Sequence, residues 1–356
     1  MSRPQPAAPR LLPGCLVTLA VLLGHQMAAA APRVWVHPWP QAQQQAAISL
    51  TFDDGLATQL DVALPLLEAR GFPATFYVIV DRLRLDGKYR RAVSIPIHRW
   101  QELVARGHEI GSHTVSHEPL DQLDSLAFDR ELYVSQFVLE TLFPGRPVIS
   151  LSYPNSAVNP AVTRAARQCY NSARAGSPTV TGTAYNELSR LDLFRLKSLF
   201  LCNDQSPRLW NNAVTAAMAG GGWLIETMHP VSGPGYCRIT EADLSTHLTF
   251  LYLRRTELWI ATVGDVAARL TAWRRTMAYS RALGPDSVEV RLDASGDPTG
   301  WQVMAEITDP AEWALLDPDG GEHPAAVERG YLCFAWPAWA GPTVMLRRVP
   351  RPGDEP

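Results

Sequence analysis

Residues 48–55 read ISLTFDDG: a short apolar run carrying Ile48, Leu50 and Phe52, then Asp53, Asp54 and Gly55. An apolar run closed by turn formers is the pattern of a buried strand. Seven further runs have the same character, at 74–80, 108–113, 148–153, 171–174, 195–201, 223–228 and 257–263. Amphipathic helical patterns lie between them, and Gly71, Gly107 and Gly220 stand where helices are expected to end. Strands separated by helices of that length predict parallel βα units. Beyond about residue 278 the pattern changes to short strands divided by Asp, Pro and Gly, which predicts a small all-β unit.

The N-terminus reads as an address. Arg3 and Arg10 precede an apolar run at 11–24, shorter than the roughly 20 residues a span requires. Small residues around Ala29 and Ala30 follow it. Residues 1–30 are therefore expected to be a signal peptide, 31–278 a catalytic domain and 279–356 the β domain. The mature chain is expected to be exported, with no stable membrane span. A chain of 356 residues fits about two domains. Its net charge of −3 and lack of a basic block speak against a nucleic-acid partner. Cys15 would leave with the leader. Cys169, Cys202, Cys237 and Cys333 remain, with no CxxC pair and three possible connectivities.

The chemistry gathers at the strand ends. Asp53 and Asp54 follow the first strand directly, where a βα barrel builds its active site. GHEIGSHTVSH (107–117) carries His113 and His117, four apart, a spacing that puts both rings on one side of a helical turn. Two imidazoles and a carboxylate form a metal set with open positions. His108 and His98 read as structural. WLIETMHP places His229 at the end of another buried strand.

TFDDG, GHEIGSHTVSH, a YPN segment and a strand ending in MHP, in this order over about residues 48–273, resemble the polysaccharide deacetylase family (the NodB-homology domain, carbohydrate esterase family four). The resemblance implies a distorted (β/α)7 barrel and hydrolysis of N- or O-linked acetyl groups from a polysaccharide or oligosaccharide. It also implies one divalent metal ion, usually zinc. It assigns Asp53 as general base, Asp54, His113 and His117 as metal ligands, and His229 as general acid. Tyr153 and Asn155 fall on the loop where substrate and oxyanion are met.

One departure stands out. The family's third motif usually carries an arginine that orients the base, and here Ser152 occupies its place. Arg174, at the end of the next expected strand, is the substitute, since a planar guanidinium can hold a carboxylate bidentately. The altered motif leaves a catalytically silent glycan-binding protein on the same barrel as the alternative. Tryptophans 301, 313, 336 and 339 give the β domain either a core or a glycan-binding face.

Overall fold

The computed structural model describes residues 30–83, 95–176, 183–323 and 325–349. The apolar run at 11–24 lies outside them. Strand β1 (Val34–Val36) precedes eight parallel strands: β2 (Ala46–Phe52), β3 (Thr75–Val78), β4 (Glu109–Ser112), β5 (Ser150–Ser152), β6 (Ser172–Arg174), β7 (Leu199–Phe200), β8 (Trp223–Met228) and β9 (Leu258–Ile260). Every residue of β2 is buried, as expected of a parallel strand covered on both faces. Seven strands curl in the order β6-β5-β4-β3-β2-β8-β7, and β9 pairs with the first half of β2. This is a distorted (β/α)7 barrel.

Helices wrap the sheet: α1 (Leu64–Glu68, entered through a π-helical turn at Gln59–Ala63), α2 (Ile97–Ala105), α3 (Ser125–Leu142), α4 (Pro160–Cys169), α5 (Pro207–Gly220), α6 (Glu241–Leu253) and α7 (Val263–Trp273). Their starts follow local chemistry. Asp124, Asn159, Thr240 and Thr262 each accept a hydrogen bond from a first-turn amide. The left-handed residue that ends α5 is Gly221, one place beyond the expected Gly220. The expected strand at 195–201 is regular only at Leu199–Phe200. Leu196 is spent closing the barrel seam onto Ala173, and the Lys197 amide donates to the Asn186 side chain.

The C-terminal strands form two antiparallel sheets. β10 (Met277–Gly284), β11 (Ser287–Asp293), β17 (Thr343–Arg348), β13 (Trp313–Leu316) and β14 (Glu322–His323) make one; β12 (Gln302–Ala305), β16 (Tyr331–Ala335) and β15 (Ala326–Glu328) belong to the other. They share a core of Val290, Val303, Leu332, Trp336 and Leu346 among others. The expected 31–278 unit differs at its start, because β1 pairs antiparallel with β12 and completes the second sheet. Trp301 and Trp336 are core residues, and among the four tryptophans only Trp339 is exposed. Arg269 of α7 locks the units together by lying over the Trp301 ring and donating to the carbonyls of Pro38 and Trp39. No helix among the described residues is long and apolar enough to cross a membrane.

Candidate active site

The carboxyl ends of β2, β4, β5, β6, β7 and β8 open into a cleft of about 510 Å³. Asp53, Asp54, His113, His117, Tyr153, Asn155, Arg174 and His229, all singled out in the sequence, line it together. β2 ends at Phe52, and the chain turns at once through Asp54 and Gly55, both with positive φ (76° and 67°). Asp53 therefore stays under the sheet edge, buried, while Asp54 swings into the cleft. Gln59, fully buried, fixes the turn: its amide nitrogen donates to the carbonyls of Asp53 (2.5 Å) and His229 (3.3 Å), and its oxygen accepts from Leu56 N (3.0 Å).

The two histidines do not share a helical turn. β4 stops at Ser112, and residues 113–117 form a tight loop with positive φ at Thr114 (66°) and His117 (68°). The loop folds the His117 ring back against His113, with ring centroids 4.6 Å apart. Glu131 of α3 holds it there, accepting from the amides of Val115 and Ser116 (2.8 Å each) and from the Ser116 hydroxyl. His113 Nδ1 donates to Ser152 O (2.8 Å), which leaves Nε2 as the lone pair facing the cleft. Burial lowers the His113 pKa to about 4, so the ring is neutral, the form a metal requires.

One ligand atom each from Asp54, His113 and His117 lie within 4.8 Å of one another. His117 Nε2 is 3.6 Å and His113 Nε2 3.9 Å from Asp54 Oδ1. Four-coordinate zinc with bonds of about 2.0–2.2 Å separates its ligand atoms by roughly 3.3–3.6 Å. The two separations to Asp54 come within a few tenths of an ångström of that range, and the three donors are of the types one such ion takes.

Arg174 reaches Asp53. Its Nη2 donates to both carboxylate oxygens, at 2.5 Å to Oδ1 and closer still to Oδ2, and to the Ser152 hydroxyl (2.5 Å). The contact uses one nitrogen rather than the expected two-pronged fork, because Nη1 is turned onto the Ser198 hydroxyl (3.2 Å). Burial alone would raise the Asp53 pKa, but Arg174, with His113 and His229, more than offsets it and holds the carboxyl below its usual range. His229 faces the same cleft. Burial lowers its pKa against the pull of Asp53 and Asp54.

Tyr153 is buried and Asn155 exposed, the latter with φ 54° in a single 3₁₀ turn at Pro154–Ser156. The neighbouring amides of Tyr153, Ser156 and Ala157 are engaged with the carbonyls of Arg174, Tyr153 and Pro154. His108, read as structural, is buried and its Nδ1 accepts from Ala74 N (3.1 Å). The sequence reading missed Gln59, Glu131, Phe200 and Tyr236. Gln59 and Glu131 sit inside helical patterns that carry no mark of their roles, whereas Tyr236 lies in a glycine-rich GPGYC stretch just after His229.

Residues 41–172 match the family profile described as polysaccharide deacetylase. A gellan lyase from a Bacillus species is 28% identical over 263 residues, covering 64% of this chain and 10% of that protein. The chain thus spans about a tenth of the length of the curated relative it matches. A putative polysaccharide deacetylase from Mycobacterium smegmatis superposes with a TM-score of 0.50 at 18% identity, over 66% of this chain and 93% of that one. The Xyl-CE4 domain of a multidomain xylanase from the hindgut metagenome of Trinervitermes trinervoides has a TM-score of 0.45 at 18% identity, over 64% and 92% of the two chains. The Mycobacterium likeness is one of fold, and the profile match adds a sequence similarity confined to residues 41–172. Over residues 41–172, the first part of the barrel, the chain is similar to the polysaccharide deacetylase family.

Proposed function

We propose that the protein is an exported, metal-dependent hydrolase that removes acetyl groups, N- or O-linked, from a polysaccharide or oligosaccharide. The observation that carries this reading is the meeting of Asp53, the Asp54–His113–His117 set and His229 in one cleft at the carboxyl ends of the strands. A silent binding protein has no use for a buried carboxylate held ionised by an equally buried arginine. That pair costs desolvation and serves proton transfer better than stability.

Asp54, His113 and His117 would hold the ion, with zinc the best match to two imidazoles and a carboxylate. A bound divalent ion polarises the acetyl carbonyl and makes water more acidic. Asp53 removes one proton from the attacking water, whose oxygen bonds to the carbonyl carbon. Arg174 keeps that carboxylate ionised and aimed. A backbone amide near Asn155 would stabilise the developing oxyanion. His229 delivers a proton to the leaving nitrogen or oxygen as the C–N or C–O bond breaks, giving acetate and a free amine or hydroxyl. The burial that lowers its pKa makes its protonated form a stronger acid.

Export to an oxidising compartment, the periplasm or the exterior, is supported by the Cys202–Cys237 disulfide and by the leader-like residues 1–30. The test is acetate release from acetylated xylan, chitin oligomers, peptidoglycan and poly-N-acetylglucosamine, before chelation, after it and with zinc restored. Release that stops on chelation and returns with the ion is expected. No release from any of them would defeat the hydrolase reading.

A further inference from the structure

The loop that follows His229 is built to hold one side chain over the cleft. Its ends are zipped: Ser232 N donates to Ile239 O (2.8 Å) and Ile239 N to Pro230 O (3.1 Å). Between them Ser232, Gly233, Gly235 and Cys237 all have positive φ, from 52° to 146°. A side chain at Gly235 would put its Cβ 2.7 Å from Pro230 Cγ, so the loop closes this tightly only on glycine. Its far side is tied by the disulfide from Cys237 to Cys202, 35 residues earlier.

The bridge joins the two segments whose aromatic rings flank His229. Phe200, two residues before Cys202, stacks on the imidazole with an interplanar angle of 14°. Tyr236, next to Cys237, meets it edge-on at 89°, with centroids 5.1 Å apart. Yet Tyr236 is 72% exposed. A ring that contributes little to the core is held at the mouth of the active site by a covalent link and four positive-φ residues. Such preorganisation improves binding, because the ordering is complete before the ligand arrives. Asp204 and Gln205 line the same wall and offer acceptors and donors.

We propose that Tyr236 is a sugar-stacking platform, fastened by the Cys202–Cys237 disulfide, that seats the apolar face of a pyranose ring so that its acetyl group meets Asp53 and the metal set. The proposal rests on the glycan reading above and adds the residue that positions the sugar. The bridge makes that affinity dependent on an oxidised loop.

Calorimetric titration of the metal-loaded protein with N-acetylchitopentaose and with acetylated xylopentaose tests it, alongside acetate release. Tyr236→Ala is expected to weaken binding of the preferred oligosaccharide about ten-fold, and Tyr236→Phe to bind as wild type. The Cys202→Ser/Cys237→Ser double variant is expected to fall between them; since Tyr236 is exposed, its own variants test the platform even if that double variant folds poorly. Wild-type affinity in Tyr236→Ala, or no binding of either oligosaccharide by wild type, overturns the proposal. Acetate release with undiminished Tyr236→Ala affinity would leave the hydrolase standing and remove the platform. Weakened Tyr236→Ala binding without any acetate release would keep the platform and remove the hydrolase.

Discussion

Ser152 and Arg174 stand directly opposite each other in the parallel pairing of β5 and β6, and the Arg174 guanidinium crosses the Ser152 hydroxyl to reach Asp53. Register partners on neighbouring parallel strands face the same side of the sheet. The guanidinium therefore reaches Asp53 from the strand beside the one that carries Ser152. Arg174→Ser is expected to lower kcat about 10²-fold with KM and metal content little changed, because the base loses its aim. Breaking a buried pair also costs about 3–5 kcal/mol of stability. The Ser152→Arg/Arg174→Ser exchange puts the arginine on the neighbouring strand and should recover much of the lost kcat. An arginine that merely filled space would show no such recovery, so the double-mutant cycle decides the matter.

The metal loop yields a second prediction. Glu131 touches no ligand atom, yet it accepts both amides of the turn that folds His117 back on His113. Glu131→Ala should weaken zinc binding about 10–100-fold, as loss of outer support generally does. His113→Ala should abolish it. Competition against a chromophoric chelator measures both. Equal affinity in Glu131→Ala and wild type would show that the turn holds its shape without that carboxylate.

Gln59 joins the backbones behind Asp53 and His229, so the third prediction is a loss shared by base and acid. Gln59→Ala should destabilise the fold by about 1–3 kcal/mol, leaving buried carbonyls without donors, and reduce kcat about ten-fold or more. Gln59→Glu should be worse, because it sets a second acceptor against the two carbonyls. Urea unfolding and acetate release on the same preparations check the pair. A Glu variant as stable as wild type would refute the assignment of donor and acceptor.

Which parts of this were legible in the sequence follows from the range of the interactions. The barrel strands were readable because a strand buried on both faces is an uninterrupted apolar run, as in Ala46–Phe52. The ligand set was readable as residue types, but not as geometry. His113 and His117 meet through a loop with two positive φ values, and four-residue spacing alone suggested a helix. β1 was misassigned to the barrel unit because its partner, β12, lies some 270 residues away, and three residues carry no sign of which sheet they join. The GPGYC stretch marked a tight turn after His229, but nothing in it showed that the disulfide would set Tyr236 opposite Phe200 across that ring.

The junction between the two units carries the last prediction, a dependence on pH. His37 follows β1, is buried, and donates from Nε2 to Gln44 O (3.0 Å), while its own amide donates to Gln302 O (2.8 Å). Burial drives its pKa down to about 4; the Gln44 carbonyl opposes the shift, and the nearby Arg329 and Arg269 add to it. In the unfolded chain the ring titrates near its ordinary value of about 6.5. Between about pH 6.5 and 4 the unfolded state therefore binds the extra proton, and folding stability falls as the pH is lowered through that window. The contribution is intact above pH 6.5 and reaches at most about 3 kcal/mol lost at the acid end. His37→Gln keeps an amide donor for Gln44 O and removes the titration. The variant should be no more stable than wild type at pH 7.5, and the difference should move in its favour by pH 4.5. Unfolding midpoints for both proteins at pH 7.5, 6.0 and 4.5 measure the shift. A stability difference that stays constant across the three would place the acid sensitivity elsewhere than at this junction.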